Sequence, residues 1–149
     1  MLYLAQSTDT ALLRLRRPPP ADAAFVHAEP ILPAVGLKTS TLHHPFAGPQ
    51  ELSRAVVSEY KTCIEVDWCV EDADPAAIGY VRGERRSGAT EPGRSGAGLF
   101  DSSGRLIGTN LGGSDAGGFE YYGRFDVPYR DGVRRWLGDE VEGSVRVRR

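Results

Sequence analysis

Hydrophobic and polar residues alternate along several short stretches of the chain, and this is the pattern of half-buried strands. The clearest stretch is residues 63–68, Cys-Ile-Glu-Val-Asp-Trp, in which β-branched and polar residues take turns. Residues 98–101 and 105–111 flank the turn sequence Ser-Ser-Gly and predict a β-hairpin. Residues 120–127 predict another strand, and short β-prone runs recur between turn residues over 23–44.

The remaining segments predict connectors, a loop and one helix. Residues 10–15 form a short apolar run, and the prolines Pro18 to Pro20 after it predict a connector, because proline cannot donate to a strand ladder. Residues 69–88 are irregular and predict a surface loop. Val133, Trp136 and Leu137 recur at helical spacing before Gly138 and predict a terminal helix. Many short strands with Gly and Pro turns predict an all-β barrel or sandwich.

Composition excludes several classes of protein. The chain has 149 residues, the size of one ordinary domain, and is 40% hydrophobic with a net charge of −2. It has no dense basic patch for nucleic acid, and its last residues mix both signs, as a solvated tail does. No apolar run approaches the roughly 20 residues that a membrane span needs. The N-terminus lacks the basic and apolar regions of a signal peptide.

Cys63 and Cys69 are the chain's two cysteines. The spacing for four zinc ligands is absent and no pair of histidines stands nearby in sequence, so we expect no metal site. In an oxidising compartment the two thiols would close a small loop as a disulfide. The alternative is a pair of buried thiols, and the sequence leaves the two open.

Residues 88–113 place Ser95 among many glycines. Ordering glycine costs backbone entropy, so such a cluster is either a loose loop or a tight turn in which backbone amides face a substrate. Residues 93–108, Gly-Arg-Ser-Gly-Ala-Gly-Leu-Phe-Asp-Ser-Ser-Gly-Arg-Leu-Ile-Gly, resemble the nucleophile region of chymotrypsin-fold serine peptidases, whose motif is Gly-x-Ser-Gly. They are similar in particular to bacterial lysyl and glutamyl endopeptidase-like enzymes.

The resemblance extends over most of the chain, from about residue 9 to residue 137. Residues 42–55 are similar to the His-His-Pro segment of these enzymes, and residues 121–125 with the later Trp136 and Leu137 resemble their C-terminal end. The positions of the nucleophile region in register are Thr90, Gly93, Ser95, Gly96, Leu99, Phe100, Gly104, Arg105, Leu106, Ile107, Gly108, Gly112 and Gly113.

The resemblance implies an all-β, chymotrypsin-like double β-barrel, of which this chain would hold the end of the first barrel, the complete second barrel and a short C-terminal helix. Residues 1–20 would be a remnant of the first barrel and a connector, 21–138 the C-terminal barrel, and 139–149 a polar tail. The implied function is a secreted serine endopeptidase that cleaves polypeptides through an acyl-enzyme and uses no cofactor. The missing N-terminal barrel would be a further partner.

The resemblance also assigns catalytic roles. Ser95 is the expected nucleophile, and the backbone amides of Gly93 and Ser95 are the expected oxyanion hole. Asp9 falls on the position of the orienting acid in the family's Asp-x-Ala-Leu-Leu-x-Leu segment. In the family the histidine lies upstream of this acid, whereas His27, His43 and His44 all follow Asp9.

We therefore expect the chain alone to be inactive as a fragment without its catalytic histidine. We assign His43 and His44 to the second barrel and His27 to a structural role. The alternative is a non-catalytic, peptidase-like β-domain that acts as a binding module or is an inactive remnant.

The substrate pocket is expected beside the nucleophile. The resemblance places its walls at Ala89, Thr90, Leu111, Gly112 and Gly113. Glu120 stands where the lysyl enzymes have an acid, and it is either a pocket base that favours Lys or Arg or an exposed loop residue. Two residues depart from the family: Arg94 replaces a usual serine, and Leu111 replaces a histidine of the lysyl enzymes. Arg94 either faces solvent or, if it points inward unpaired, costs stability.

The N-terminal residues carry an expectation about folding. Without most of a first barrel, residues 1 to about 20 should lie against the second barrel as a poorly anchored, extended arm. Leu12, Leu13 and Leu15 would then be exposed, and the chain would tend to associate. The compact part would run from Ile31 to Leu137.

Overall fold

The strands of the chain form one main antiparallel sheet and a separate hairpin. The computed structural model describes residues 1–65, 68–71, 78–88 and 92–137. Within these ranges the strands are β1 Tyr3–Ala5, β2 Thr10–Leu12, β3 Lys38–His43, β4 Glu51–Glu65, β5 Trp68–Glu71, β6 Tyr80–Ser87, β7 Gly98–Phe100, β8 Leu106–Ser114 and β9 Phe119–Arg124. The expectation of an all-β fold is confirmed.

Six of these strands close into a barrel. Their order is β3-β7-β8-β9-β6-β4, and β3 also pairs with β4, so the sheet returns on itself. The long strand β4 makes closure possible, because its first half pairs with β3 and its later part with β6 and β5. Its pairing with β6 shifts register at two points, and such bulges bend a strand around a barrel.

The barrel encloses a core of apolar side chains that alternate with outward-facing residues. The buried members are Val57, Val81, Leu99, Ile107 and Tyr122. The predicted hairpin at residues 98–111 is confirmed as β7 and β8 around the turn at 101–104, where Gly104 adopts a φ of +75°. The predicted strand at 120–127 corresponds to β9.

The expectation of a surface loop over residues 69–88 is wrong for the part that the structure describes. Residues 68–71 are β5, which pairs with β4, and residues 80–87 are β6, a central strand of the barrel between β4 and β9. Val81 and Gly83 are buried, whereas Arg82 and Glu84 between and after them are partly exposed. The run of charged residues that ends β6 concealed this alternation.

The expectation of an extended arm over residues 1 to about 20 is wrong for residues 3–12, which form a hairpin. Strand β1 pairs with β2, so the run after Asp9 has a strand partner that the sequence analysis did not identify. The tip of this hairpin is anchored, because Thr8 is fully buried. A Cβ at Gly79 or Gly123 would overlap the carbonyl oxygens of Ser7 and Thr8, so glycine at both positions lets the tip approach β6 and β9. Leu13 and Leu15 are exposed, as expected, whereas Leu12 is partly buried in β2.

Helical residues follow β9. One α-turn, Asp126–Pro128, leads into a wider π-turn, Tyr129–Val133, and then into Arg134–Leu137, which confirms the predicted terminal helix. Val133 is buried, whereas Trp136 is half exposed. Gly138 and the tail lie outside the described residues. No helix in the described ranges is long and apolar enough to cross a membrane.

Cys63 and Cys69 form a disulfide between β4 and β5. This decides between the two alternatives that the sequence left open. The bond links β4 to β5, the last strand in the order of the sheet, at two residues that face each other across the pair.

Candidate active site

The loop that carries Ser95, residues 93–97, is held in a tight turn between β6 and β7, and we call it the nucleophile loop. The Gly96 amide donates to the Asn110 carbonyl (2.7 Å), and the Ala97 amide donates to the Arg94 carbonyl (2.9 Å). Gly93 and Gly96 adopt φ values of +98° and +82°, which L-residues with side chains rarely adopt. Residues 93–97 are therefore a tight turn and not a loose loop, and the expectation that its amides face a substrate stays a prediction.

Ser95 lies exposed at the surface of this loop. Its hydroxyl donates to the Leu111 carbonyl on β8 (3.3 Å). The amides of Gly93 and Ser95 donate to no acceptor among the described residues, and both residues are exposed. Two unengaged N–H groups beside a serine hydroxyl are the donors that an oxyanion requires.

The His-His-Pro segment packs beside the nucleophile loop. The Phe46 amide donates to the Pro92 carbonyl (2.9 Å), and a Cβ at Gly93 would stand 3.2 Å from the His44 carbonyl oxygen. The sequence resemblance treated the segment and the loop as separate motifs. The structure brings them into contact at one end of the barrel.

Arg94 and Glu120 form a buried ion pair beneath the nucleophile loop. Arg94 is 3% exposed and Glu120 is 2% exposed, and an Arg94 guanidinium nitrogen contacts Glu120 Oε1. Glu120 is therefore not an exposed loop residue, which removes one of the two readings of that position. Arg94 neither faces solvent nor points inward unpaired, so both expectations for it were wrong.

A buried polar network surrounds the other oxygen of Glu120. The Asn110 side-chain amide donates to Oε2 (3.1 Å), and the Tyr122 hydroxyl donates to the same oxygen. Thr41 in turn donates to the Tyr122 oxygen (3.2 Å). Burial raises the pKa of Tyr122, so its hydroxyl stays protonated and can donate. A carboxylate inside a barrel needs such partners.

The histidines take three different positions. His43 is buried, and its Nε2 is hydrogen-bonded to the Ser53 hydroxyl (2.9 Å). His44 is exposed, with Nδ1 bonded to the Gly48 carbonyl (3.0 Å), and His27 faces Glu29 (3.5 Å). Among the described residues none of the three is hydrogen-bonded to Ser95.

Burial makes His43 a source of pH-dependent stability. Desolvation lowers the pKa of His43, and the nearby positive charge of Arg94 lowers it further, although Glu51 opposes both. Between the unfolded pKa of about 6.5 and the lower folded pKa, the unfolded chain binds more protons. Stability from neutral His43 is therefore complete above about pH 6.5 and is lost as pH falls through that window.

We expect His43→Gln to flatten the fall in melting temperature between about pH 7.5 and pH 5. The pKa values of Glu59 and Asp101 are lowered, so these carboxylates stay ionised across the range. Because His44 itself contributes to the lowered pKa of His43, the control is His27→Gln, which should follow the wild type. Thermal denaturation at several pH values measures the slopes, and equal slopes in wild type and His43→Gln would contradict the assignment.

Asp9 occupies the end of the short 3₁₀ turn between β1 and β2. It is exposed, has a φ of +47°, and its amide donates to the Gln6 carbonyl (3.3 Å). Burial, with a smaller contribution from Asp9, raises the pKa of Tyr80 to about 12, which places Asp9 near β6. In the described residues no hydrogen bond joins Asp9 to Ser95. The orienting role of Asp9 stays a prediction.

The expected pocket residues are only partly described. Ala89 and Thr90 lie outside the described residues. Leu111, Gly112 and Gly113 lie on β8, and Gly113 pairs directly with Glu120 on β9. Sequence reasoning missed Ser53, Asn110 and Tyr122 as neighbours of the site. Alternation along β4, β8 and β9 was the available signal, because it turns all three side chains inward.

Comparisons with known proteins identify a family and a fold. Residues 1–126 match the family model described as lysyl endopeptidase, C-terminal domain. The solved HtrA-type protease AlgW with tripeptide has a TM-score of 0.52 and 20% identity, and the match covers 77% of this chain and 36% of that chain. The inactive serine-to-alanine mutant of Rv3671c from M. tuberculosis H37Rv has a TM-score of 0.52 and 17% identity, covering 83% and 58%.

At these identities the likeness shows the fold, a chymotrypsin-like barrel domain. The chain spans less than two thirds of the length of these solved proteins. No curated protein sequence matches the chain.

Proposed function

We propose that this chain, which belongs to the family of lysyl endopeptidase C-terminal domains, carries the part of a serine endopeptidase site that holds the nucleophile. The observation that supports this most is the nucleophile loop. Its exposed Ser95 hydroxyl stands beside two backbone amides that have no acceptor among the described residues.

The proposed reaction is acyl transfer from a polypeptide to Ser95. The Ser95 oxygen attacks the scissile carbonyl carbon while its proton passes to a base. The negative oxygen of the tetrahedral intermediate accepts hydrogen bonds from the Gly93 and Ser95 amides. The intermediate collapses to an ester on Ser95 as the protonated amine leaves, and a water molecule then hydrolyses this ester.

The base in this proposal comes from outside the 149 residues. The positions of His27, His43 and His44 support this, because none of them is hydrogen-bonded to Ser95 in the described part of the chain. Asp9 would orient the incoming imidazole, as the family motif predicts. Without that imidazole the hydroxyl of Ser95 remains a weak nucleophile.

An extracellular location is the compartment we propose for this peptidase. Disulfides persist mainly in oxidising environments, and the bond between Cys63 and Cys69 is consistent with one. A polypeptide substrate is supported by the similar fold of AlgW, which was solved with a tripeptide.

A second candidate function is peptide binding without hydrolysis. The hydrogen bond from the Ser95 hydroxyl to the Leu111 carbonyl favours it, because that bond keeps the proton on the serine. In this function the barrel would hold a polypeptide along β8 and release it unchanged.

A fluorophosphonate probe separates the two functions, because it phosphonylates an activated serine. We expect slow labelling of the wild type, faster labelling when imidazole is added as an external base, and none in Ser95→Ala. Ser102→Ala, which removes another exposed serine, is the control and should label like the wild type.

Each alternative outcome has a definite meaning. Rapid, stoichiometric labelling of Ser95 without imidazole would mean that a histidine of this chain acts as the base. Labelling that imidazole does not accelerate would favour the binding module. Labelling that persists in Ser95→Ala would remove Ser95 as the nucleophile.

A further inference from the structure

We propose that Arg94 is a specificity-determining residue, which cancels the charge of Glu120 so that the neighbouring subsite accepts an uncharged side chain and rejects lysine and arginine. The subsite meant is the surface along Leu111, Gly112 and Gly113 on β8, beside Ser95. Its location rests on the proposed function. The compensation of Glu120 by Arg94 rests on the structure itself.

Glu120 lies directly beneath this surface. It pairs in register with Gly113, and a Cβ at Gly113 would stand 2.7 Å from Glu120 Cα and 2.9 Å from its Cγ. Glycine at position 113 therefore leaves the face of β8 next to Glu120 without a side chain. An unpaired carboxylate at this depth would attract a ligand ammonium or guanidinium group.

Arg94 already occupies the position beside Glu120 that such a ligand cation would take. It immediately precedes Ser95 in the chain, yet its side chain points into the barrel and contacts Glu120 Oε1. Oε2 accepts hydrogen bonds from Asn110 and Tyr122. Both oxygens of Glu120 are therefore engaged by groups of this chain.

Two effects would weaken the binding of a lysine side chain at this subsite. Its ammonium would lose water without gaining the Glu120 carboxylate, and burial of an unpaired charge is costly. It would also approach the like charge of Arg94, and like charges placed together discriminate strongly against a ligand. An unbranched apolar side chain would be weakened by neither effect and would pack against Leu111.

The same geometry makes the specificity reversible by one substitution. Arg94→Ser removes the internal cation and restores the residue that resembles the family's usual one. The Glu120 carboxylate is then the strongest charge at the base of the subsite, and a ligand ammonium can replace the lost guanidinium.

The test compares two peptides that differ only in one ammonium group. Acetylated tripeptide amides with lysine or norleucine as the last residue are titrated into ¹⁵N-labelled chain, and the Gly112 and Gly113 amide signals report binding. Wild type should bind the norleucine peptide several-fold more tightly. Arg94→Ser should reverse this preference and favour lysine by about tenfold or more, the effect of a charged hydrogen bond. The matched control Arg94→Ser/Glu120→Gln should lack that preference.

Each result decides the proposal. A wild type that favours lysine, or an Arg94→Ser variant with the wild-type ratio, overturns it. If Arg94→Ser does not fold, wild type is compared with Arg94→Ser/Glu120→Gln, which contains no lone buried charge. This variant removes the like charge of Arg94 but supplies no carboxylate, so discrimination against lysine should weaken without reversing, and unchanged discrimination overturns the proposal. Failure of both peptides to move the two amide signals overturns it as well. Ser95 labelling by the fluorophosphonate probe is independent of these results, so failure of the proposed function is recognised separately.

Discussion

Replacement of Glu120 by alanine lowers the free energy of unfolding by about 3–5 kcal/mol, the usual cost of breaking a buried ion pair from one side. The variant leaves the buried Arg94 guanidinium without this counter-ion. Asn110 and Tyr122 lose the acceptor that they share. In a chain of this size the loss corresponds to roughly 10 °C in melting temperature.

Denaturant unfolding of Glu120→Ala against Glu84→Ala measures this effect. Glu84 is also a glutamate on a barrel strand with an arginine partner, Arg86 (3.3 Å), but that pair is solvent-exposed. The control should therefore lose less than about 1 kcal/mol. Equal losses in the two variants would contradict the buried pair.

A double variant separates the ion pair from the space it fills. Arg94→Met/Glu120→Leu removes both charges and keeps apolar volume, and replacement of a whole buried pair is often neutral or stabilising. We expect it to recover most of the stability that Glu120→Ala loses. Failure to recover would mean that the hydrogen bonds of Asn110 and Tyr122 to Glu120 contribute more than the ion pair.

The sequence predicts the parts of the fold that depend on local pattern. The hairpin at residues 98–111 follows from alternation on both sides of Ser-Ser-Gly, and the loop around Ser95 follows from its glycines. The strand β6 was missed because Glu84, Arg85 and Arg86 crowd its second half. The neighbours of a barrel strand determine which of its faces is buried, and a charged outer face is compatible with a core strand.

The local sequence pattern could not predict the ion pair beneath Ser95. Arg94 and Glu120 are separated by 25 intervening residues, and only the pairing of β8 with β9 brings Glu120 under the nucleophile loop. The sequence analysis treated the two residues separately, Arg94 as a departure from the family and Glu120 as a match to its acid. Barrel closure makes them one unit, and this explains why an arginine is tolerated next to Ser95.

A second buried ion pair lies where β9 ends and the helical residues begin. Arg124 donates to both carboxylate oxygens of Asp126 (2.9 and 2.7 Å) and to the Ile78 carbonyl (2.8 Å). Arg124 and Asp126 are each 1% exposed. Because Ile78 precedes β6, the guanidinium joins β9, the helical residues and the segment before β6.

Arg124→Ala should therefore destabilise the chain by about 3–5 kcal/mol, because it leaves the Asp126 carboxylate buried without its bidentate partner. Arg130 provides the matched control. It contacts the same carboxylate (3.2 Å), but its side chain is 59% exposed, so Arg130→Ala should cost less than about 1 kcal/mol. Chemical denaturation of the two variants measures the difference. If both variants lost a similarly small amount of stability, the exposed Arg130 would be able to compensate the Asp126 charge alone. The buried guanidinium of Arg124 would then no longer explain how the helical residues are fixed to the barrel.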